Sequence, residues 1–331
     1  MIRLIGVLVF ALLVFAPGRP CSAEENYPTR PIRLIVGFAA GSSGDVAARI
    51  VSHKLGDLLG QTVIVENRPG ASSMIATDYV ARSPKDGYTL LFATIAATIN
   101  TTLLPGKGAN FEKDLAPIVL VGSIPNILVV TPDLGVKDVN ELIALARQKP
   151  NELLYGASGL GSGPHLATEL FKQMAGIKMT GVLYPGSAQT VMDLLSGRIQ
   201  VMFSPASTVL AFIKDGRVKA LATSEGKRTS AAPDLPTISE AALPGYDTGV
   251  WFGILGPAGM PKAIIDKISN AANSALKDPD VLKQLTAQGL DARGGSPEEF
   301  AIFIKNETER WARVIHQMDA ARESKEGASR P

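Results

Sequence analysis

Two stretches of small and hydroxyl-bearing residues carry most of the chemistry this 331-residue chain can offer. The first is VGFAAGSSGD, Val36 to Asp45, and the second is GASGLGSGPH, Gly156 to His165. Each sits where an apolar, strand-like run gives way to a helix-like one. Loops of this kind leave backbone N–H groups unpaired at a helix start, where the helix dipole adds partial positive charge. Anions bind well at such places. The two loops are far apart in the chain and neither holds a lysine or arginine, which points to one anionic ligand gripped from two sides by amides and hydroxyls.

Bond-breaking chemistry finds little support. The nucleophile elbow GxSxG is broken at every candidate: Leu160 stands where Ser158 and Ser162 would each need a glycine, and Ala40 where Ser42 would. The second loop has Leu166 in place of the third glycine of a dinucleotide fingerprint, and no Gly-Lys-Ser/Thr exists for a P-loop. His53, His165 and His316 show no metal-ligand spacing. The expectation is a protein with no catalytic residue, no metal and no cofactor.

The elements that must position these loops alternate along the chain in the manner of an α/β protein. IRLIVGF, Ile32 to Phe38, is a β-branched run feeding the first loop, with a helix expected from Asp45 to Leu59. TVIVEN and YTLLFAT follow as strands, and all are apolar enough for buried parallel pairing. Ile118 to Pro132 reads as a long strand broken at Pro125. ELLYGAS leads into the second loop and a helix from Pro164; VLYPGSAQ repeats that strand–turn–helix form, and IQVMFSPAS is another strand. After the proline-rich passage Ala232 to Pro236, VWFGILGP is a strand, and helices are expected over Lys262–Leu276 and Pro297–Gln317 with a frayed tail from Asp319. Trp251 and Phe252 read as core.

Composition narrows the setting. Arg3, the apolar run Leu4 to Phe15 and Cys21-Ser22-Ala23 have the form of a secretory leader cleaved near Ala23, and its run of about a dozen residues is too short to span a bilayer. A lipid anchor on Cys21 is the rival reading, disfavoured by Gly18-Arg19-Pro20 before it. The chain has 33 basic and 31 acidic residues, and loss of Arg3 and Arg19 with the leader leaves the charges balanced. Nucleic acid and membrane surfaces, which select basic patches, are therefore not expected partners.

The order of YPTRPIRLIV, the glycine loop closed by Asp45, VENRPGA, DGYTLL, GASGLGSGPHLATELF, DLLSGRIQVMF, VKALATSEGKR, LPTISEA and WFGILGPAGMP resembles one family over essentially the whole mature chain. It is that of the periplasmic solute-binding proteins of tripartite tricarboxylate transporters, often called Bug receptors. The resemblance implies an α/β, two-lobed periplasmic binding protein of type II, with a central sheet in each lobe and a ligand cleft between them. It implies lobe 1 from residues 24–130 and 235–331 and lobe 2 from 131–234, crossed twice by the chain. A monomer that traps a small carboxylate and delivers it to a membrane permease is the implied function; a receptor feeding a sensor kinase and an exported serine hydrolase are the alternatives.

Mapped onto this chain, the ligand would meet Phe38, Ala40, Gly41, Ser42, Ser43 and Asp45 in the first loop, with Thr94 ending a neighbouring strand. The facing set is Ser158, Gly159, Gly161, Ser162 and His165, then Tyr184, Gly186 and Ser187, with Ser204 and Ala206 at the ligand's distal end. Asp45 beside a carboxylate ligand would repel it, so capping or fixing the loop is its expected work. His165 in the first turn of its helix is expected to cap or pack. Where the family commonly has Val-Pro-Tyr-Lys-Gly, this chain has Val182 to Gly186 with Pro185 in the lysine's place, which favours a mono- or dicarboxylate over a tricarboxylate.

Overall fold

The structure, a computed structural model, describes residues 26–157, 162–184 and 186–328, with 317–328 as backbone alone. Residues 1–25 with the expected leader and Cys21, the loop residues Ser158, Gly159 and Gly161, and Pro185 lie outside the described residues. In chain order the elements are β1 (Ile32–Val36), α1 (Ser43–Leu59), β2 (Val63–Asn67), α2 (Met74–Ala81), β3 (Thr89–Thr94), α3 (Ala96–Leu103), α4 (Phe111–Asp114) and β4 (Leu115–Val130). There follow α5 (Val139–Gln148), β5 (Leu154–Ala157), α6 (Gly163–Ala175), β6 (Thr180–Leu183), α7 (Ser187–Leu195), β7 (Val201–Pro205), α8 (Ala206–Lys214) and β8 (Lys219–Thr223). The chain ends with α9 (Ile238–Ala241), β9 (Gly249–Pro257), α10 (Lys262–Ala275), α11 (Pro279–Ala287), β10 (Asp291–Ala292) and α12 (Pro297–Ala328).

Strand order is β2-β1-β3-β9-β4-β7-β5-β6, with β8 and β10 also on β4. β1 pairs in parallel with β2 and β3, and β5 in parallel with β6 and β7. The apolar runs of β1 and β3 are buried on both faces, as parallel strands under helices must be. The long strand β4 belongs to both halves: Leu115 to Pro125 pair with β9, and Asn126 to Val130 with β7 and β8. A second passage runs beside it, where Ser224 N–H donates to Asn126 O (2.8 Å) and Thr248 N–H to Ser224 O (2.8 Å).

Register along β4 sets the two halves against each other. Thr94, the last residue of β3, pairs with Phe252, which pairs with Gly122; Pro205, the last of β7, pairs with Asn126. Since β3 runs parallel to β4 and β7 antiparallel to it, the carboxyl ends of both strand sets point at each other across residues 122–126. At roughly 3.4 Å per residue that gap is narrow. Ligands of open α/β sheets bind at such carboxyl edges.

Several elements differ from the sequence expectation. β4 is not broken at Pro125; its irregularities fall between Pro117 and Val119 and between Leu120 and Gly122 against β9, and between Leu128 and Val129 against β8. Pro125 lies opposite Gly249, the first residue of β9, just where β4 changes partners, so its missing N–H removes little from the ladder. Helix α12 runs to Ala328 instead of ending at Gln317, consistent with a tail rich in Ala, Arg, Glu and Lys and free of breakers before Gly327. The helices α3 and α11 were not expected. Packing makes the first, whose AATINTTL sequence has no side-chain cap, whereas Asp278 capping and Pro279 at the first turn mark the second.

Candidate functional site

The first loop is held by one buried carboxylate. Asp45, 3 % exposed, accepts from Gly41 N–H (2.9 Å), from Arg49 Nε (3.0 and 3.1 Å) and from Asn67 Nδ2 (2.9 Å). Burial works against its charge, but Arg49, the Gly41 amide and Asn67 outweigh burial and hold its pKa below the ordinary carboxylate value. The Arg49 guanidinium also answers the repulsion problem, since the negative charge is already paired before an anion arrives. Ser42 is the helix cap, its Oγ accepting from Asp45 N–H (3.3 Å). Gly41, at φ 81°, makes the turn that lets this happen and commits its own amide to Asp45. Among the N–H groups the loop keeps to offer are those of Ala39, Ala40, Ser43 and Gly44, which have no partner among the described residues.

The helix that follows the second loop is capped in the same way. Ser162 caps α6, its Oγ accepting from His165 N–H (3.3 Å). His165 is 4 % exposed, and its ring lies 6.5 Å from that of Tyr155, whose hydroxyl donates to Glu169. It packs the helix, as its position suggested. Further along, Gly186 precedes α7 without a side-chain cap, and Ser187 opens that helix. The Tyr184 hydroxyl donates to Asp193 (2.8 Å), and burial, then Asp193, push its pKa up to about 12.

Both helix starts stand over one face of β9. A Cβ on Gly44 of α1 would lie 3.5 Å from the Phe252 ring and 3.8 Å from Thr94 Cγ2. A Cβ on Gly163 of α6 would lie 3.0 Å from Val250 Cγ2 and 4.0 Å from Ile95 Cγ2. Val250 and Phe252 are two apart on a strand, so their side chains share a face about 7 Å apart. The helix dipoles of α1 and α6 therefore converge from opposite halves of the molecule. Thr94 supports the spot from behind, 5 % exposed, with Oγ1 accepting from Ala96 N–H (3.3 Å) at the start of α3.

The remaining expected contacts separate. Phe38, Ala40, Gly41, Ser42 and Ser43 keep exposed surface at the first carboxyl edge, and Ser162, Tyr184, Gly186 and Ser187 at the second. Ser204 and Ala206 are 0 % exposed at the junction of β7 and α8, where Ala206 also lies against Gly289. Sequence reasoning overlooked a third loop at the same edge, Arg68 to Ser73. Ala71, Ser72 and Ser73 all have positive φ (45°, 51° and 74°), and Asn100 Nδ2 holds the Ser72 carbonyl (2.8 Å). Three consecutive non-glycine residues in this region are costly and are kept where the surroundings enforce them. The NRPGA string was its visible signal. Among the described residues no group of three His, Cys, Asp or Glu is placed to hold a metal ion.

This third loop is keyed to the first. A Cβ on Gly37 would lie 1.8 Å from Ser73 Oγ and 2.9 Å from Ser73 Cα. Gly37→Ala is expected to destabilise by about 3 kcal/mol in a denaturant melt, the range of overpacking. Adding Ser73→Gly, which also relieves the positive φ, should restore only part of it, because the crowding against the backbone of residue 73 remains.

Comparison with known proteins finds relatives of nearly the whole chain. The family described as "Tripartite tricarboxylate transporter family receptor" matches residues 47–320. Protein BugT of Bordetella pertussis is 35% identical over 322 residues, covering 97% of this chain and 98% of the relative. Among solved structures, R. palustris Rpa4515 with adipate is similar at 36% identity and TM-score 0.77, covering 87% of this chain and 97% of that one. MatC (Rpa3494) from Rhodopseudomonas palustris with bound malate is similar at 28% identity and TM-score 0.75, covering 87% and 100%. The fold is thus the two-lobed α/β architecture of periplasmic binding proteins, and the chain belongs to the family of tripartite tricarboxylate transporter receptors.

Proposed function

We propose that this protein captures a small organic mono- or dicarboxylate between its two halves and hands it to a membrane permease of the tripartite type, doing no chemistry on it. The convergence of the α1 and α6 starts over Val250 and Phe252 carries the reading. The unpaired amides of the first loop replace the water that a carboxylate gives up, and their fixed orientation offsets the desolvation of the charge. Relatives holding adipate and malate support the same ligand class. The proposed contacts are Phe38, Ala40, Gly41, Ser42 and Ser43 on one side; Ser158, Gly159, Gly161, Ser162, Tyr184, Gly186 and Ser187 form the other, with Asp45, Thr94 and His165 supporting them. The lobes close by bending β4 near residues 122–126 and the passage at Ser224, a hinge in which the ligand's contacts to both sides favour the closed state. Export by the leader ending near Ala23 belongs to this reading, as family membership implies an exported protein.

A thermal-shift screen of adipate, malate, benzoate, citrate, a sugar and a divalent cation, followed by calorimetry, tests it. At a hundredfold excess over Kd the ligand should add about 2.7 kcal/mol to stability, an upward shift of several degrees. Stabilisation by the sugar or the cation with none by any carboxylate would overturn the proposal.

A further inference from the structure

We propose that Asn67 is the positioning residue of the first binding loop, its side-chain amide tying the loop's two ends together so that the unpaired N–H groups between them stay in place for the ligand. The inference rests on the carboxylate-receptor reading above. Asn67 ends β2 and pairs with Val36, which ends β1, so it stands at the mouth of the loop without being part of it. Its Nδ2 donates to Phe38 O (3.0 Å) and to Asp45 Oδ1 (2.9 Å), and its Oδ1 accepts from Arg49 (3.2 Å). Phe38 and Asp45 bracket the loop. Everything between them that can meet an anion, the N–H groups of Ala39, Ala40, Ser43 and Gly44, depends on the distance between those brackets.

No other side chain supplies this pattern at this reach. A carbonyl and a carboxylate both accept only, so the group between them must donate twice, and Arg49 beyond it requires an acceptor. Serine has one proton to give. Glutamine reaches a methylene too far, and aspartate would set a third oxygen against two others. The tie also runs onward, because the carboxylate that Asn67 holds is the one that receives Gly41 N–H. Loss of Asn67 therefore frees Phe38 directly and loosens Gly41 through Asp45.

The test compares wild type, Asn67→Ala and Asn67→Asp. In ligand-free protein, Asn67→Ala should speed amide hydrogen exchange in the segment from Phe38 to Asp45 about tenfold, with β1, β2 and the rest of α1 unchanged. Affinity for whichever of adipate and malate binds wild type should fall about ten- to thirtyfold, the scale of hydrogen bonds to a charged group, with the melting temperature nearly constant. Asn67→Asp should match Asn67→Ala at neutral pH and regain affinity relative to wild type near about pH 5, where protonation of the new carboxyl restores one donor; Asn67→Ala should show no such recovery. Unchanged exchange in that segment would overturn the proposal, as would unchanged affinity beside faster exchange, or an Asn67→Asp profile parallel to that of Asn67→Ala. Should wild type bind neither acid, the receptor reading is the one that fails, while the exchange comparison still decides whether Asn67 ties the loop.

Discussion

Gly163→Val is expected to lower carboxylate affinity at least about a hundredfold, a loss of roughly 2.7 kcal/mol, while the melting temperature drops by only a few degrees. At this position a first added carbon already stands 3.0 Å from Val250 Cγ2, tighter than side chains normally pack, and valine brings two more. The start of α6 must then back away from β9. Retreat costs little in the core, because the helix is anchored further along by Leu166, Ala167 and Phe171, all at most 1 % exposed. It costs the ligand a great deal, because amides displaced by a fraction of an ångström no longer meet the same carboxylate that α1 holds from the other side. Calorimetry on Gly163→Val alone and combined with Val250→Ala separates this from general damage: cutting back the opposing side chain should recover most of the affinity, a coupling expected only for groups in contact. An equal loss in both proteins would show that the two helix starts do not share a ligand.

Asp45→Ala should weaken binding about thirty- to a hundredfold, and here stability should fall as well. One substitution strands the Gly41 N–H, one Asn67 donor and the Arg49 guanidinium together. Asp45→Asn should rescue poorly, since its amide nitrogen would face another donor. The pH dependence has a definite sign. A carboxyl whose folded pKa is depressed contributes stability that is present above its unfolded value, ordinarily 3.8, and is lost as pH falls through the lower folded value. Acid melts of Asp45→Ala should therefore lack part of the wild-type decline below that range. If the variant keeps both its affinity and the full acid decline, Asp45 does not hold the loop.

Much of this site was legible in the chain because the relevant signals are local. A β-branched run followed by glycine, serine and a helix former announces a strand–loop–helix unit, and Ser42 and Ser162 sit where capping hydroxyls belong. The expectation that Asp45 fixes the loop came from charge, and its carboxylate accepts from Gly41 N–H, Arg49 and Asn67. Less was legible where a residue's work depends on neighbours distant in sequence. Ser204 and Ala206 have the small size of cleft residues, yet both are 0 % exposed. The loop from Arg68 to Ser73 gave only a turn signal, and its strained backbone exists because Gly37 and Asn100 enforce it.

Residue order alone was enough for the class of fold, for two amide-rich loops without cations and for an anion as their natural guest, because periodicity, capping chemistry and charge are properties of neighbours along the chain. That the loops face each other was decided only in three dimensions. The decision lies in register: Thr94 reaches Gly122 through Phe252 and Pro205 reaches Asn126, and this pairing alone turns the carboxyl ends of two strand sets toward one gap. Backbone hydrogen bonds between strands far apart in sequence carry no signature in either strand, since every residue offers the same N–H and C=O, and only the packed sheet selects which of them meet.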